Sequence, residues 1–188
     1  MDEKKEKPKK ESRARETLFR VAYQHQGQLI QLADYKANLI ISIGATIISG
    51  IVALVGFGFA SNLVEKYRYL LITPAVVIVL ACLAALIYAI QAAKPKFVST
   101  HVTKTSGNKS SILFFRSIAS FSQHDYIVRM KELLENEDDI FEQMTIDLYN
   151  QGIVLKRKYD LLRNAYSVLM VGFVASVVAF LVMLMFQY

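Results

Sequence analysis

Residues 155–188 read LKRKYDLLRNAYSVLMVGFVASVVAFLVMLMFQY, and the stretch changes character at Ala165. Lys156, Arg157, Lys158, Asp160 and Arg163 stand before that point; the 24 residues from Ala165 to Tyr188 contain no Asp, Glu, Lys or Arg. An uncharged apolar run of about 20 residues spans the roughly 30 Å hydrocarbon core of a bilayer as one helix. A soluble helix of that length normally keeps a polar face. Two more such windows occur, Leu39–Ala60 with 22 residues and Tyr69–Ala93 with 25. They explain why a chain of 188 residues is 54% hydrophobic and 20% charged, with a positive mean hydropathy of +0.32. This composition argues against a free soluble enzyme, a secreted disulfide scaffold or a disordered chain. The single cysteine, Cys82, lies in the second apolar run, where packing is its expected role.

The fold class read from these windows is an all-α membrane protein. It has three transmembrane helices, the first and last extended into the cytoplasm as long helical stalks. The expected order begins with a charged, disordered tail over 1–11 and a cytoplasmic helix over 12–38. Transmembrane helices follow over 39–60, 69–93 and 165–188. An external hairpin occupies 61–68, and a cytoplasmic region of loop, short helix and long helix occupies 94–164. The first apolar run is too long for a signal-peptide core and its charged leader too long for a signal start, so it reads as a retained span.

Lys and Arg number 9 before residue 39, 2 in the hairpin, 11 over 94–164 and none after 164. Three spans put the first and third of these segments on one side, and the positive-inside rule makes that side the cytoplasm. The expected location is therefore a membrane, multi-pass, with a cytoplasmic N-terminus. The external face is then small, so a ligand or partner is expected to be met inside.

Leu18, Ala22, His25, Leu29, Leu32, Lys36 and Leu39 follow one another at spacings of 4 and 3, a heptad-like stripe running into the first span. Ile140, Met144, Leu148, Gln151, Leu155, Tyr159, Leu162 and Tyr166 form a second stripe running into the last. Each predicts a long continuous helix with a seam to bury, against the other helix, a neighbouring subunit or both. Lys94-Pro95-Lys96 stops the second span, and Thr105–Ser111 reads as a loop. Ser122, three residues before Asp125, predicts a helix N-cap. Glu137, Asp138 and Asp139 suit the start of the last long helix. Ser42, Thr46 and Gly50, with Ala45, Ser49 and Ala53 beside them, and Gly172 with Ser176, are small residues that permit close helix approach in a membrane.

No catalytic constellation is present: there is no phosphate-binding glycine loop, no nucleophile elbow and no zinc-protease motif. His25, His101 and His124 stand at no metal-ligand spacing, so neither a catalytic nor a metal site is expected. Polar residues do interrupt the two stripes. A basic, aromatic-lined ligand site is one reading of Asp34, Lys36, Gln151, Arg157, Lys158, Tyr159 and Arg163, with Phe114 and Phe115. Cations and donors would hold a phosphate, and Tyr159 or the two phenylalanines would stack on a base. The plainer reading pairs Lys36 with Asp34, a carbonyl or a lipid phosphate. It also makes Lys156–Lys158 topology signals, and Phe114 and Phe115 core or interfacial anchors.

Asp34-Tyr35-Lys36-Ala37 before the first span, Leu113-Phe114-Phe115, and Lys158-Tyr159-x-x-Leu162-Arg163-x-Ala165 entering the last span resemble the transmembrane effectors of Pycsar. Pycsar is a bacterial antiphage system that signals through cyclic pyrimidine mononucleotides. The likeness runs from about Arg15 to the C-terminus. It implies a membrane effector without a resident cofactor, activated by cyclic UMP or cyclic CMP from a partner pyrimidine nucleotide cyclase. Such an effector would impair the inner membrane to stop phage spread. The implied partners are the lipid bilayer, further copies of the chain in a homo-oligomer, and the cyclase; no nucleic acid is expected. This chain has no separate cyclic-nucleotide domain, so the sensor would be built from the stalks. The alternative is a non-enzymatic membrane scaffold docking a cytoplasmic partner. A constitutive ion channel is disfavoured by spans without charged side chains.

Overall fold

The computed structural model describes residues 3–61, 68–94 and 121–187. Among them every regular element is helical: α1 (Glu3–Ala60), α2 (Arg68–Ala93), α3 (Gln123–Leu134) and α4 (Glu137–Gln187). α1, α2 and α4 are each long and apolar enough to cross a membrane. The hairpin residues 62–67, Pro95 and Lys96 at the end of the second span, and the Thr105–Ser111 loop lie outside the described residues. α1 begins at Glu3, inside the stretch whose charge density reads as a disordered tail. Glu and Lys are good helix formers, so the polar composition that bars a core does not bar a helix.

Ser122 caps α3 as its spacing predicts: Asp125 N donates to Ser122 Oγ at 3.2 Å, and Ser122 Oγ donates to Asp125 Oδ2 at 2.7 Å. Asn136 opens α4, its Oδ1 accepting from Asp138 N at 3.2 Å. Glu137, Asp138 and Asp139 then lie in the positive first turn.

The chain divides into two compact units, one of Met1–Gln31 with Lys96–Lys156, the other of Leu32–Pro95 with Arg157–Tyr188. In the first, α1 and α4 run parallel. Arg15 pairs with Asp138 at 3.5 Å, and Phe19 stacks on Phe141 with ring centres 5.5 Å apart. Tyr23 bonds to Met144 and Asp147, and Gln26 to Leu148. Each step up one helix is matched by a step up the other. α3 contributes the buried Leu133.

In the second unit α1, α2 and α4 surround a core of Ala33, Ala37, Ile40, Ala85, Ala89, Ala92, Leu162 and Ala165. Six of these eight are alanine, which lets the backbones approach closely. Gly44 lies against Leu86, and Gly172 against Ala81 of α2. Ser176 Oγ donates to the Pro74 carbonyl at 2.9 Å. Pro74 sits inside α2, a position tolerated where neighbouring helices support the backbone.

The buried seam of α1 differs from the stripe read off its periodicity. Phe19, Tyr23, Gln26, Ala33, Ala37 and Ile40 face α2 or α4, each one position beyond Leu18, Ala22, His25, Leu32, Lys36 and Leu39. Leu18, Leu32 and Leu39 are exposed, Leu18 at 63%. A periodicity count weights leucine above alanine. Close helix packing does the reverse, and at Leu39, where the apolar run begins, lipid leaves no penalty on an outward leucine. The small residues Ser42, Ala45, Thr46, Ser49, Gly50 and Ala53 are likewise exposed, whereas Gly172 and Ser176 make the close contacts expected of them.

A methyl group added at Gly172 would fall on the Ala81 side chain, while one at Gly50 meets nothing within 4 Å. Gly172→Ala is therefore expected to destabilise the helix bundle by about 1–3 kcal/mol through overpacking. Gly50→Ala should be neutral or slightly stabilising through helix propensity. Denaturation with increasing mole fraction of dodecyl sulfate, followed by circular dichroism, measures both.

Candidate functional site

Two polar clusters stand out, one in each unit. In the first unit Tyr23 OH donates to Asp147 Oδ2 at 2.9 Å and to the Met144 carbonyl at 3.2 Å. Gln151 Nε2 donates to the same Asp147 Oδ2 at 2.8 Å, four residues along α4. Gln26 Nε2, one turn above Tyr23, donates to the Leu148 carbonyl at 3.1 Å. Asp147 is buried, with 4% of its surface exposed. Burial, and next the hydrogen bond and charge of Asp147, push the Tyr23 phenol well above the ordinary tyrosine value. The phenol is thus held neutral, as a donor. Asp147 Oδ1 and Gln26 Oε1 are buried with no hydrogen-bond partner among the described residues.

In the second unit Lys158 Nζ bonds to Asp34 Oδ1. The lysine is the more enclosed partner, its side chain 13% exposed against 42% for Asp34. Lys36 Nζ sits 5.7 Å from the centre of the Tyr159 ring. That distance suits a cation–π contact. The Asp34–Lys36 pairing open to the sequence is thereby replaced. Asp34 reaches across to α4, and Lys36 lies over an aromatic face.

The structure brings together Asp34, Lys36, Lys158 and Tyr159 in one unit and places Gln151 in the polar cluster of the other. Arg157 and Arg163 are exposed. Phe114 and Phe115 lie outside the described residues. Tyr23, Gln26 and Asp147 were not singled out by the sequence. Asp147 lies three residues after Met144 and four before Gln151, both on the second stripe. Gln143, Asp147 and Gln151, a polar row at four-residue spacing beside the apolar stripe, are the available signal.

Removing Asp34 strands an enclosed ammonium, which costs on the order of 1–3 kcal/mol. Asp34→Ala is expected to lose about that much, and the exchange Asp34→Lys with Lys158→Asp to recover most of it. A double-mutant cycle in the same denaturation assay measures the coupling.

Of the residues quoted above for their resemblance, Ala37, Leu162 and Ala165 are core neighbours, with the Asp34–Lys158 and Lys36–Tyr159 contacts in the same unit; Tyr35 and Arg163 are exposed, and 113–115 lie outside the described residues. No curated protein and no solved structure matches the chain. Residues 17–185 do match the Pycsar effector protein domain, over nearly the whole length. With three helices fit to cross a membrane and that match, the chain belongs to the Pycsar effector family, a family of membrane effectors.

Proposed function

We propose that this protein is the membrane effector of an antiphage defence system, switched on by a cyclic pyrimidine mononucleotide from a partner cyclase. Once active it impairs the inner membrane and stops phage spread. The family match over 17–185 is the observation that carries this reading. The N-terminus and the region between the second and third spans lie in the cytoplasm, where 20 of the 22 basic residues would then stand.

Helix length supports cytoplasmic stalks. α1 has 58 residues and α4 has 51. At 1.5 Å per residue they measure about 87 and 77 Å, more than twice the roughly 30 Å bilayer core. The polar ends therefore extend beyond it as a parallel pair. Ligand bound between polar groups of that pair favours one helix packing over another by its difference in affinity for the two. Continuous helices carry the change to the spans. The exposed apolar stripe through Leu18, Val21 and Leu32 suits association of several copies.

Proteoliposomes loaded with a self-quenching dye test the reading. Leakage is expected with cyclic UMP or cyclic CMP and not without nucleotide. Lys36→Glu should abolish the response. Leakage indifferent to both nucleotides rejects the proposed activation.

A further inference from the structure

The Tyr23, Gln26, Asp147 and Gln151 cluster contains more acceptors than donors. Tyr23 OH is shared between Asp147 and the Met144 carbonyl, Gln151 Nε2 is given to Asp147, and Gln26 Nε2 is given to the Leu148 carbonyl. The Leu148 carbonyl also fixes the orientation of the Gln26 amide, because a flipped amide would set oxygen against oxygen. Gln26 Oε1 and Asp147 Oδ1 consequently remain without a donor. Both hydrogen-bond partners of Asp147 Oδ2 are neutral groups, a phenol and an amide. A carboxylate buried to 4% exposure, with no cation bonded to it among the described residues and one oxygen unbonded, is costly to fold.

Two buried acceptors on neighbouring turns of a helix pair complement a group that presents two N–H donors. We propose that this cluster is the subsite for the exocyclic amino group of a planar base, and that the protein selects a cytosine over a uracil nucleotide. The inference rests on the functional reading above and names the base that the reading leaves open. A cytosine amino group offers one N–H to Asp147 Oδ1 and one to Gln26 Oε1. Uracil carries a carbonyl oxygen at the same ring position, an acceptor facing two acceptors.

The residues one and two turns below fit the remainder of such a ligand. Phe19 and Phe141 offer aromatic faces, their planes 23° apart. Arg15 is 57% exposed, bonded to Asp138 at 3.5 Å and 5.7 Å from the centre of the Phe141 ring, and a phosphate takes the place of Asp138. Arg15 and Tyr23 are eight residues apart, about 12 Å along the helix axis, the length scale of a mononucleotide. Because the two acceptor oxygens are buried, the base enters as α1 and α4 part by about one ring thickness, ~3.5 Å. Parting the helices hydrates the carboxylate, which lowers the cost of opening, and the amino group then satisfies what the closed pair leaves unmet. Recognition and helix rearrangement are one event.

The full-length protein in phosphatidylethanolamine–phosphatidylglycerol vesicles, titrated calorimetrically with cyclic CMP and cyclic UMP, decides the matter. Wild type is expected to bind cyclic CMP tighter by on the order of tenfold or more. Asp147→Asn places an amide nitrogen against the base and should bring the ratio to about one or reverse it. Gln26→Leu removes the second acceptor and should narrow the ratio with helix content unchanged by circular dichroism. Equal or tighter binding of cyclic UMP by wild type overturns the inference and leaves the functional reading standing. A preference for cyclic CMP that survives Gln26→Leu, and Asp147→Asn where that variant folds, also overturns it. Absence of binding by either nucleotide removes both.

Discussion

Within each of the two units α1 and α4 pack side by side, and that contact is the constraint on which the rest of the structure depends. The bonds named between them join residues 121 to 124 positions apart, Arg15–Asp138 to Gln26–Leu148 in the first unit and Asp34–Lys158 in the second. In hydrocarbon the backbone is satisfied within each helix, so association there rests on how closely two helices approach. Alanine at 33, 37 and 165 and glycine at 172 provide that approach in one unit. Aromatic and polar side chains provide the contact in the other.

The polar contacts do different work from the apolar ones. A row of alanines tolerates sliding by a turn with little loss, because each position offers much the same surface. Tyr23 with Asp147, Gln26 with Leu148 and Asp34 with Lys158 do not: a one-turn shift breaks all of them and leaves buried charge unmet. Polar groups thereby define the register, as a single buried polar residue does in a coiled coil. The same property makes them suited to control, since a ligand that replaces one of these bonds acts on the register directly.

For a membrane effector this arrangement joins two requirements. On the proposed function the signal would arrive as a small polar molecule, and the output would be made in lipid. A pair of helices continuous between polar and apolar surroundings suits both. The acceptors at Asp147 and Gln26 lack donors among the described residues, so the hydrogen bonding of the helix pair is incomplete there.

The three apolar windows and the Ser122 N-cap were legible in the sequence because length, charge and capping are local properties. α2 was expected over 69–93 and runs Arg68–Ala93, and Ser122 caps α3 as its spacing implied. The seam was not legible to the residue. Leu18 and Leu32 dominate a periodicity count, yet Phe19 and Ala33 make the contacts, one position and about 100° around the helix away. Lys36 and Lys158 were visible as polar interruptions, but Asp34 answering Lys158 rather than Lys36 depends on which helix stands opposite. Sequence alone determined which segments can enter a bilayer, since each residue contributes to that choice independently of distant ones. Tertiary structure alone decided which face is buried and which acceptors go without donors, because both depend on residues more than 120 positions apart meeting across a helix pair.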